Sequence, residues 1–186
     1  LNKTDANNNL LESYLSDEIF CNDRTSNSNA FPLASGNSSY LYGSYTRNIT
    51  NKNPSFKCPN ASNDGFTLKT SGQQSAVKAS GDGNNMLTYP IGLITADEVA
   101  FAGGKNSLIN LKYYLYTGNY YWTMSPFSFY SYTALAFDAA VYPSGNLSSS
   151  NTAQVYGIRP VINLKSDVLY VNGIGTENDP YIITIK

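Results

Sequence analysis

The chain has 186 residues, enough for one sizeable domain with a real core, and its 12 basic and 13 acidic residues leave a net charge of -1. Charged residues make up only 13%, and Lys and Arg are interspersed, which excludes an electrostatic nucleic-acid surface. There is no histidine, so the commonest general base, the Ser–His and Cys–His pairings and the commonest metal ligand are all missing.

In chain order, Leu10, Leu11, Tyr14, Leu15, Ile19 and Phe20 fall on one helical stripe, which predicts a first helix over residues 9–20. Residues 22–89 are rich in Asn, Ser and Gly and read as a long irregular insertion within a single domain spanning 1–186. Cys21 and Cys58 have no CxxC spacing, and zinc would need more ligands than the chain offers. A disulfide that pins the insertion is the expected reading, with buried free thiols as the alternative. Oxidised cysteines and low charge suit an extracellular or cell-surface setting. No apolar run reaches membrane-spanning length, so no direct membrane insertion is expected, and Leu1 predicts an export or anchoring segment upstream. The sequons at Asn37 and Asn48 are no more than an Asn/Ser-rich chain produces by chance.

Asp82, between Gly81 and Gly83, resembles a fragment of a calcium loop, but the spaced acids and terminal glutamate are missing, which favours a turn. Thr95 and Glu98 form a capping box for a second helix that Gly103 and Gly104 close. Capping explains Glu98, and neighbouring Asp97 points elsewhere on the helix. Strands are predicted at 91–94, 111–116, 134–142, 155–164, 168–171 and 181–185. Turns follow at 143–145 and 172–173. Pro160 predicts an edge strand or bulge. Glu177 and Asp179 read as a turn rather than a cation site, and no metal or cofactor is expected.

The functional signal lies in residues 113–164. Tyrosine, serine and asparagine alternate there with an apolar skeleton of Trp122, Met124, Leu135, Phe137, Val141, Ile158, Val161, Ile162 and Leu164. A core would not carry so many aromatic hydroxyls, because each buried oxygen needs a partner. Tyr, Ser, Gly and Asn together give rigid amphipathic area plus adaptable polar groups, the composition of a recognition surface. The candidate ligand-binding residues are Phe129, Tyr130, Tyr132, Asp138, Tyr142, Ser149, Asn151, Gln154 and Tyr156. Trp122 reads as a core anchor, with a stacking platform as the alternative, and Arg159 as a structural pairing beneath the ligand face.

The order helix, helix, WTMSP, then GIRPVINL near the end resembles a C-type-lectin-like domain. It is similar to the version shared by formylglycine-generating-enzyme relatives and the variable proteins of diversity-generating retroelements. Trp122 and Gly157-Ile158-Arg159 stand where that group has its opening tryptophan strand and its closing strand. The phrases IGLITADEVAFAGG, YYWTMSP, GIRPVINL and GTENDPYIIT also look like a family of exported or pilin-like surface proteins of Firmicutes. The resemblance implies an α+β C-type-lectin-like fold, two helices with small antiparallel sheets and long irregular loops. The calcium-lectin triplets Glu-Pro-Asn, Gln-Pro-Asp and Trp-Asn-Asp are absent, as is any cysteine after Cys58 that could serve formylglycine chemistry.

Those retroelements mutate adenines, and asparagine codons then reach Tyr, Ser, Asp, Thr, Ala, Phe, Val or Gly. Phe129, Tyr130, Ser131, Tyr132, Thr133, Asp138, Tyr142, Ser149, Asn151 and Tyr156 all carry such residues or asparagine itself. Ordinary compositional bias is the competing explanation. The expected function is non-catalytic binding of a protein or cell-surface ligand, with the binding face in 127–156. A structural subunit of a pilus or cell wall, self-assembling through the same aromatic face, is the rival. A glycan hydrolase with two converging carboxylates stands third.

Overall fold

A computed structural model of the protein describes residues 3–4, 8–26, 39–68, 86–176 and 178–186. A 3-10 turn (Leu11–Tyr14) leads into two short strands, β1 (Leu15–Ser16) and β2 (Phe20–Cys21). The helix expected over 9–20 therefore does not form. Leu15 pairs with Leu164, Phe20 pairs with Phe66, and Leu10 gives the turn no side-chain cap. So short a helix is marginal on its own, and strand pairing outbids its propensity. Only Tyr14, Leu15 and Phe20 of the predicted stripe are buried.

Within the stretch expected to be irregular, residues 39–68 are instead ordered. They form β3 (Ser39–Leu41), α1 (Gly43–Tyr45) running into a π-helical turn (Thr46–Thr50), α2 (Ala61–Asp64) and β4 (Gly65–Leu68). The helical segment is polar in sequence yet buries Ser44 and Asn48. The Ser44 hydroxyl donates to the Pro126 carbonyl, and Asn48 Nδ2 donates to the Ser44 carbonyl at 2.9 Å. Hydrogen bonding rather than apolar area docks this piece, so hydrophobic periodicity could not announce it. Its burial also leaves no room for a glycan on Asn48. Cys21 and Cys58 form a disulfide, 37 residues apart in sequence. Closing a loop of that length stabilises the fold by about 4 kcal/mol in the chain-entropy model.

The chain continues through β5 (Met86–Leu87), parallel to β4, then β6 (Ile91–Leu93) and α3 (Ala96–Ala102). The capping box on α3 is complete: Glu98 N–H donates to Thr95 Oγ1 at 3.2 Å, and Thr95 N–H donates to Glu98 Oε2 at 2.7 Å. Gly103 closes the helix at φ +118°, a conformation that favours glycine. Residues 111–116, expected as a strand, turn instead beneath this end of the helix. Tyr113 packs against Gly103 and Gly104, and Tyr116 N–H donates to the Tyr113 carbonyl at 3.0 Å.

The main sheet follows, with β7 (Tyr121–Tyr130), β8 (Leu135–Val141) and β9 (Leu147–Asn151). Its order is β3-β7-β8-β9, antiparallel throughout. Then β10 (Pro160–Leu164) pairs antiparallel with both β1 and β6, and β11 (Val168–Asn172) pairs with β12 (Ile182–Ile185). The run expected over 155–164 is thus a strand only from Pro160, which occupies the first position that proline tolerates. The architecture is α+β, dominated by strands in several mainly antiparallel sheets. No helix among the described residues is long and apolar enough to cross a membrane.

The core lies on one face of the main sheet, where Ile94, Ala96 and Val99 meet Tyr121, Phe127, Ala139, Val141 and Leu147. Thr123 and Ser125 also point into this face and are buried. Thr123 Oγ1 donates to the Ala139 carbonyl at 2.8 Å, and Ser125 Oγ accepts from Ala96 N–H at 2.9 Å. At the edge of the core Arg47 holds two buried carboxylates. Its Nε and Nη2 donate to Asp97 Oδ1 and Oδ2 at 2.9 and 2.8 Å, and Nη1 donates to Asp23 Oδ2 at 2.6 Å. Asp97 also accepts from Ser55 N–H, and Asp23 from Thr25. The hydrogen bonds donated to Asp97 lead in holding the Arg47 pKa above its ordinary value against the opposing effect of burial.

Removing the cation would leave two buried carboxylates without a counter-charge, the expensive way to break a buried ion pair. Arg47→Met is expected to lower the unfolding free energy by about 3–5 kcal/mol. Urea denaturation followed by tyrosine and tryptophan fluorescence at pH 7 checks this. A loss below about 1 kcal/mol, the range of exposed ion pairs, would show that the clamp is dispensable.

Candidate functional site

Strand register decides which side chains share a face, because directly paired residues point the same way. Tyr121, Val141 and Leu147 form one register row and belong to the core. The neighbouring row, Trp122, Ala140 and Ser148, therefore faces the other side of the sheet. Pro126, Asp138 and Ser150 form a second outer row. Tyr40, Phe129 and Ala136 form a third. Small residues of β8 and β9 make the floor of this outer face, and rings from β3 and β7 rise beside it.

Trp122 is thus not in the core, where the sequence reading placed it. It is half-buried on the outer face, with its ring 4.7 Å from that of Tyr156. Tyr156 stacks on Tyr120 at 4.6 Å and 20° between planes, and Tyr120 meets Tyr142 edge-on at 4.9 Å. A main-chain hook creates this cluster: Trp122 N–H donates to the Gly157 carbonyl, and Gly157 N–H donates to the Tyr120 carbonyl, both at 3.0 Å. Gly157 approaches closely enough that an added Cβ would lie 3.1 Å from the Tyr120 oxygen. The phenols are satisfied locally, Tyr156 with Ser150 Oγ at 2.9 Å and Tyr142 donating to the Ser149 carbonyl at 2.8 Å. Beneath them Arg159 donates to the Leu115 carbonyl at 2.5 Å and lies 4.9 Å from the centre of the Tyr121 ring. It has the structural place expected of it.

The nine candidate residues are not brought together as one patch. Phe129, Asp138, Tyr142 and Tyr156 border the outer face. Ser149 is in register with Ala139 and Asn151 with Phe137, which places both on the core side, so Ser148 and Ser150 supply the outward serines of β9. Tyr130 is in register with Leu135 and packs edge-on against Phe137 at 5.3 Å, toward the β7–β8 turn. It sits roughly 25 Å along β7 from Trp122. Tyr132 lies at the tip of that turn, 73% exposed, 5.9 Å from Tyr130. Asn151 Oδ1 accepts from Ala153 N–H, and Gln154 is exposed in the loop beyond. Tyr40, Tyr42, Tyr120 and Trp122 are the outer-face residues that sequence reasoning missed. An alternation count over 121–130 could have found Trp122, but the buried partners there include Thr123 and Ser125, so the pattern of apolar residues is inverted.

Asp138 is the one carboxylate on this face among the described residues. It is half-buried, and no hydrogen bond or ion pair reaches its carboxylate among the described residues. Burial alone raises its pKa to about 6. The Tyr42 phenol is also pushed up, first by its own burial, then by neighbouring Tyr40 and Asp138.

A cleft of about 570 Å³ on the other side holds more acids, but each is engaged. Asp23 and Asp97 belong to the Arg47 clamp, Glu98 to the capping box, and Glu18 accepts from the Ser16 hydroxyl at 2.9 Å. Asp179 closes a turn whose N–H groups at 174–176 all donate to its carbonyl. Asp82 and Glu177 lie outside the described residues.

An unpaired, partly buried carboxylate destabilises the fold once it ionises. The raised pKa means that the favourable state is the protonated one, present at pH 4 and lost as pH rises through about 6. Asp138→Asn should therefore unfold with a free energy about 1–2 kcal/mol higher than wild type at pH 8, after allowance for partial exposure. At pH 4 the two should differ little. Paired urea titrations at both pH values check this, and a variant less stable at pH 8 would mean that the carboxylate has a stabilising partner.

Comparison with known protein families, curated proteins and solved structures found no match.

Proposed function

We propose that this chain is a C-type-lectin-like domain displayed outside the cell, which binds a protein or other surface ligand without chemistry. The contact face is the outer side of the main sheet, centred on Tyr120, Trp122, Tyr142 and Tyr156. The observation that carries this reading is that four aromatic rings pack against one another on the face away from the core, each only partly covered. Aromatic area held rigid at a surface is the composition of binding hot spots. The cysteine pairing suits an oxidising compartment. The engaged state of the cleft carboxylates supports a binding role over glycan hydrolysis.

Diversification by a retroelement would reach the outer face and the β7–β8 turn, with Ser149 and Asn151 on the core side of the sheet. All ten positions whose residues are reachable from asparagine codons are at least partly exposed, while Ala139, Ala140, Val141 and Leu147 between them are buried. A second reading, assembly into a pilus or cell-wall structure, is favoured by the hairpin of β11 and β12. There Leu169, Tyr170, Val171, Tyr181 and Ile182 are all exposed, more apolar area than an isolated two-stranded ribbon usually leaves open.

Tyr132→Ser should change stability by no more than about 0.5 kcal/mol. Tyr142→Ser and Tyr156→Ser each lose one hydrogen bond and should cost about 0.5–1.5 kcal/mol. Trp122→Ala should cost about 1–2 kcal/mol, below the roughly 3–5 kcal/mol of a core aromatic. Beads coated with the domain should adhere to cells of the producing community or its host, and Trp122→Ala with Tyr156→Ser should abolish adhesion while the domain stays folded. Unfolding of these variants would make the rings packing elements and remove the display reading. Concentration-dependent polymerisation in sedimentation velocity, lost on Tyr170→Ser, would favour the assembly reading. A nearby near-copy of the coding DNA for 127–156, differing at adenines beside a reverse-transcriptase gene, is the genetic signature expected of diversification.

A further inference from the structure

We propose that Asp138 and the rings around it form a seat for a cationic side chain, an arginine of a polypeptide partner. This rests on the outer sheet face being the contact surface. Asp138 stands in the middle of that face, with Ala136 and Ala140 two residues away on either side and Pro126 and Ser150 in register beside it. Phe129 and Tyr40 share the next row on one side, and Trp122 occupies the next row on the other. Tyr156 reaches over from the far edge through its bond to Ser150. The result is a carboxylate on a floor of small side chains, between two groups of aromatic rings.

The chemistry of such a place is one-signed. Ring faces carry the negative end of the aromatic quadrupole, so they repel an anion and attract a cation. A carboxylate between them adds a full charge of the same preference. Among the described residues no cation pairs with it. The three arginines are committed elsewhere: Arg24 to Asp64 at 2.8 Å, Arg47 to Asp97 and Asp23, and Arg159 to the Leu115 carbonyl. The titratable groups around Asp138 are the Tyr42 phenol at the start of α1, with Tyr40 beside it, and the Tyr156 phenol beyond Ser150; the nearest cation acting on Tyr42 is Arg24, which is paired with Asp64. The fold therefore keeps an ionisable group at a cost to its own stability, a pattern that belongs to sites serving a ligand. A planar guanidinium suits the seat best, because it can stack on a ring and donate in its own plane to both carboxylate oxygens.

The test is an NMR titration of the 15N-labelled domain at pH 7.5 with the peptide acetyl-Gly-Arg-Gly-amide. The neutral isostere acetyl-Gly-citrulline-Gly-amide and choline serve as comparison probes. The arginine peptide should shift the amides of Ala136, Asp138, Ala140 and Ser150, bind at least tenfold tighter than the citrulline peptide, and weaken at least tenfold in Asp138→Asn. Loss of folding cannot mimic that result, since Asp138→Asn is expected to be the more stable protein. Binding should also weaken as pH falls through about 6. Equal binding of arginine and citrulline peptides, or of wild type and Asp138→Asn, would overturn the seat. Choline competing more strongly than the arginine peptide would assign the site to a quaternary-ammonium headgroup and overturn the polypeptide partner. Adhesion separates this claim from the broader one. If Trp122→Ala with Tyr156→Ser abolishes adhesion while Asp138→Asn leaves it intact, the contact face stands without the seat. If arginine binds at Asp138 while adhesion ignores every substitution on the face, the seat stands without the contact face.

Discussion

Arg47 joins parts of the chain that have no other strong reason to meet. Asp23 follows the disulfide strand, Ser55 follows the helical segment, and Asp97 lies in the first turn of α3. A guanidinium with donors in a rigid fork can hold both carboxylates at once, which a lysine could not, and Asp97 in turn accepts from the Ser55 N–H. The clamp fixes the π-helical turn after α1 and the start of α3 together on the core side of the main sheet. Hydroxyls of Ser44, Thr123 and Ser125 fill part of that side, each with a backbone partner. The opposite side of the same sheet is left with rings that no second layer of the described protein covers.

The legible parts of the sequence were those in which one local signal suffices. Thr95, Glu98 and Gly103 specify α3 by hydrogen bonds within a few residues, and the turn at 143–145 forms with Gly145 N–H donating to the Tyr142 carbonyl at 2.7 Å. The failures share a cause. At 9–20 the apolar spacing suits a helix, but Leu15 and Phe20 have strand partners roughly 150 and 50 residues away, which no local pattern contains. At 121–130 the strand is missed because Thr123 and Ser125 face inward while Trp122 and Met124 face outward. At 111–116 apolar residues suggested a strand, but Tyr113 is spent on the glycines that end α3.

The candidate site shows the same division. The aromatic face proposed as the contact surface is built mainly from residues within 113–164, the segment that composition singled out. Composition could not sort that segment by face. Ser149 and Ser150 are chemically identical neighbours, and only pairing with β8 tells which one points outward. Tyr40 and Tyr42 were invisible for a different reason: they come from a stretch whose composition suggested no regular structure at all.

The hook at Gly157 bears on how such a face can change over time. Its two hydrogen bonds run between main-chain atoms of residues 120, 122 and 157, so they do not depend on the side chains at 120 and 122, while the close approach at 157 calls for glycine. A ring can be exchanged at position 156 without disturbing the peptide groups that hold the strand ends side by side. The chain has thereby separated placement from identity. Side chains outside position 157 can therefore change one at a time while the strand ends keep the same geometry.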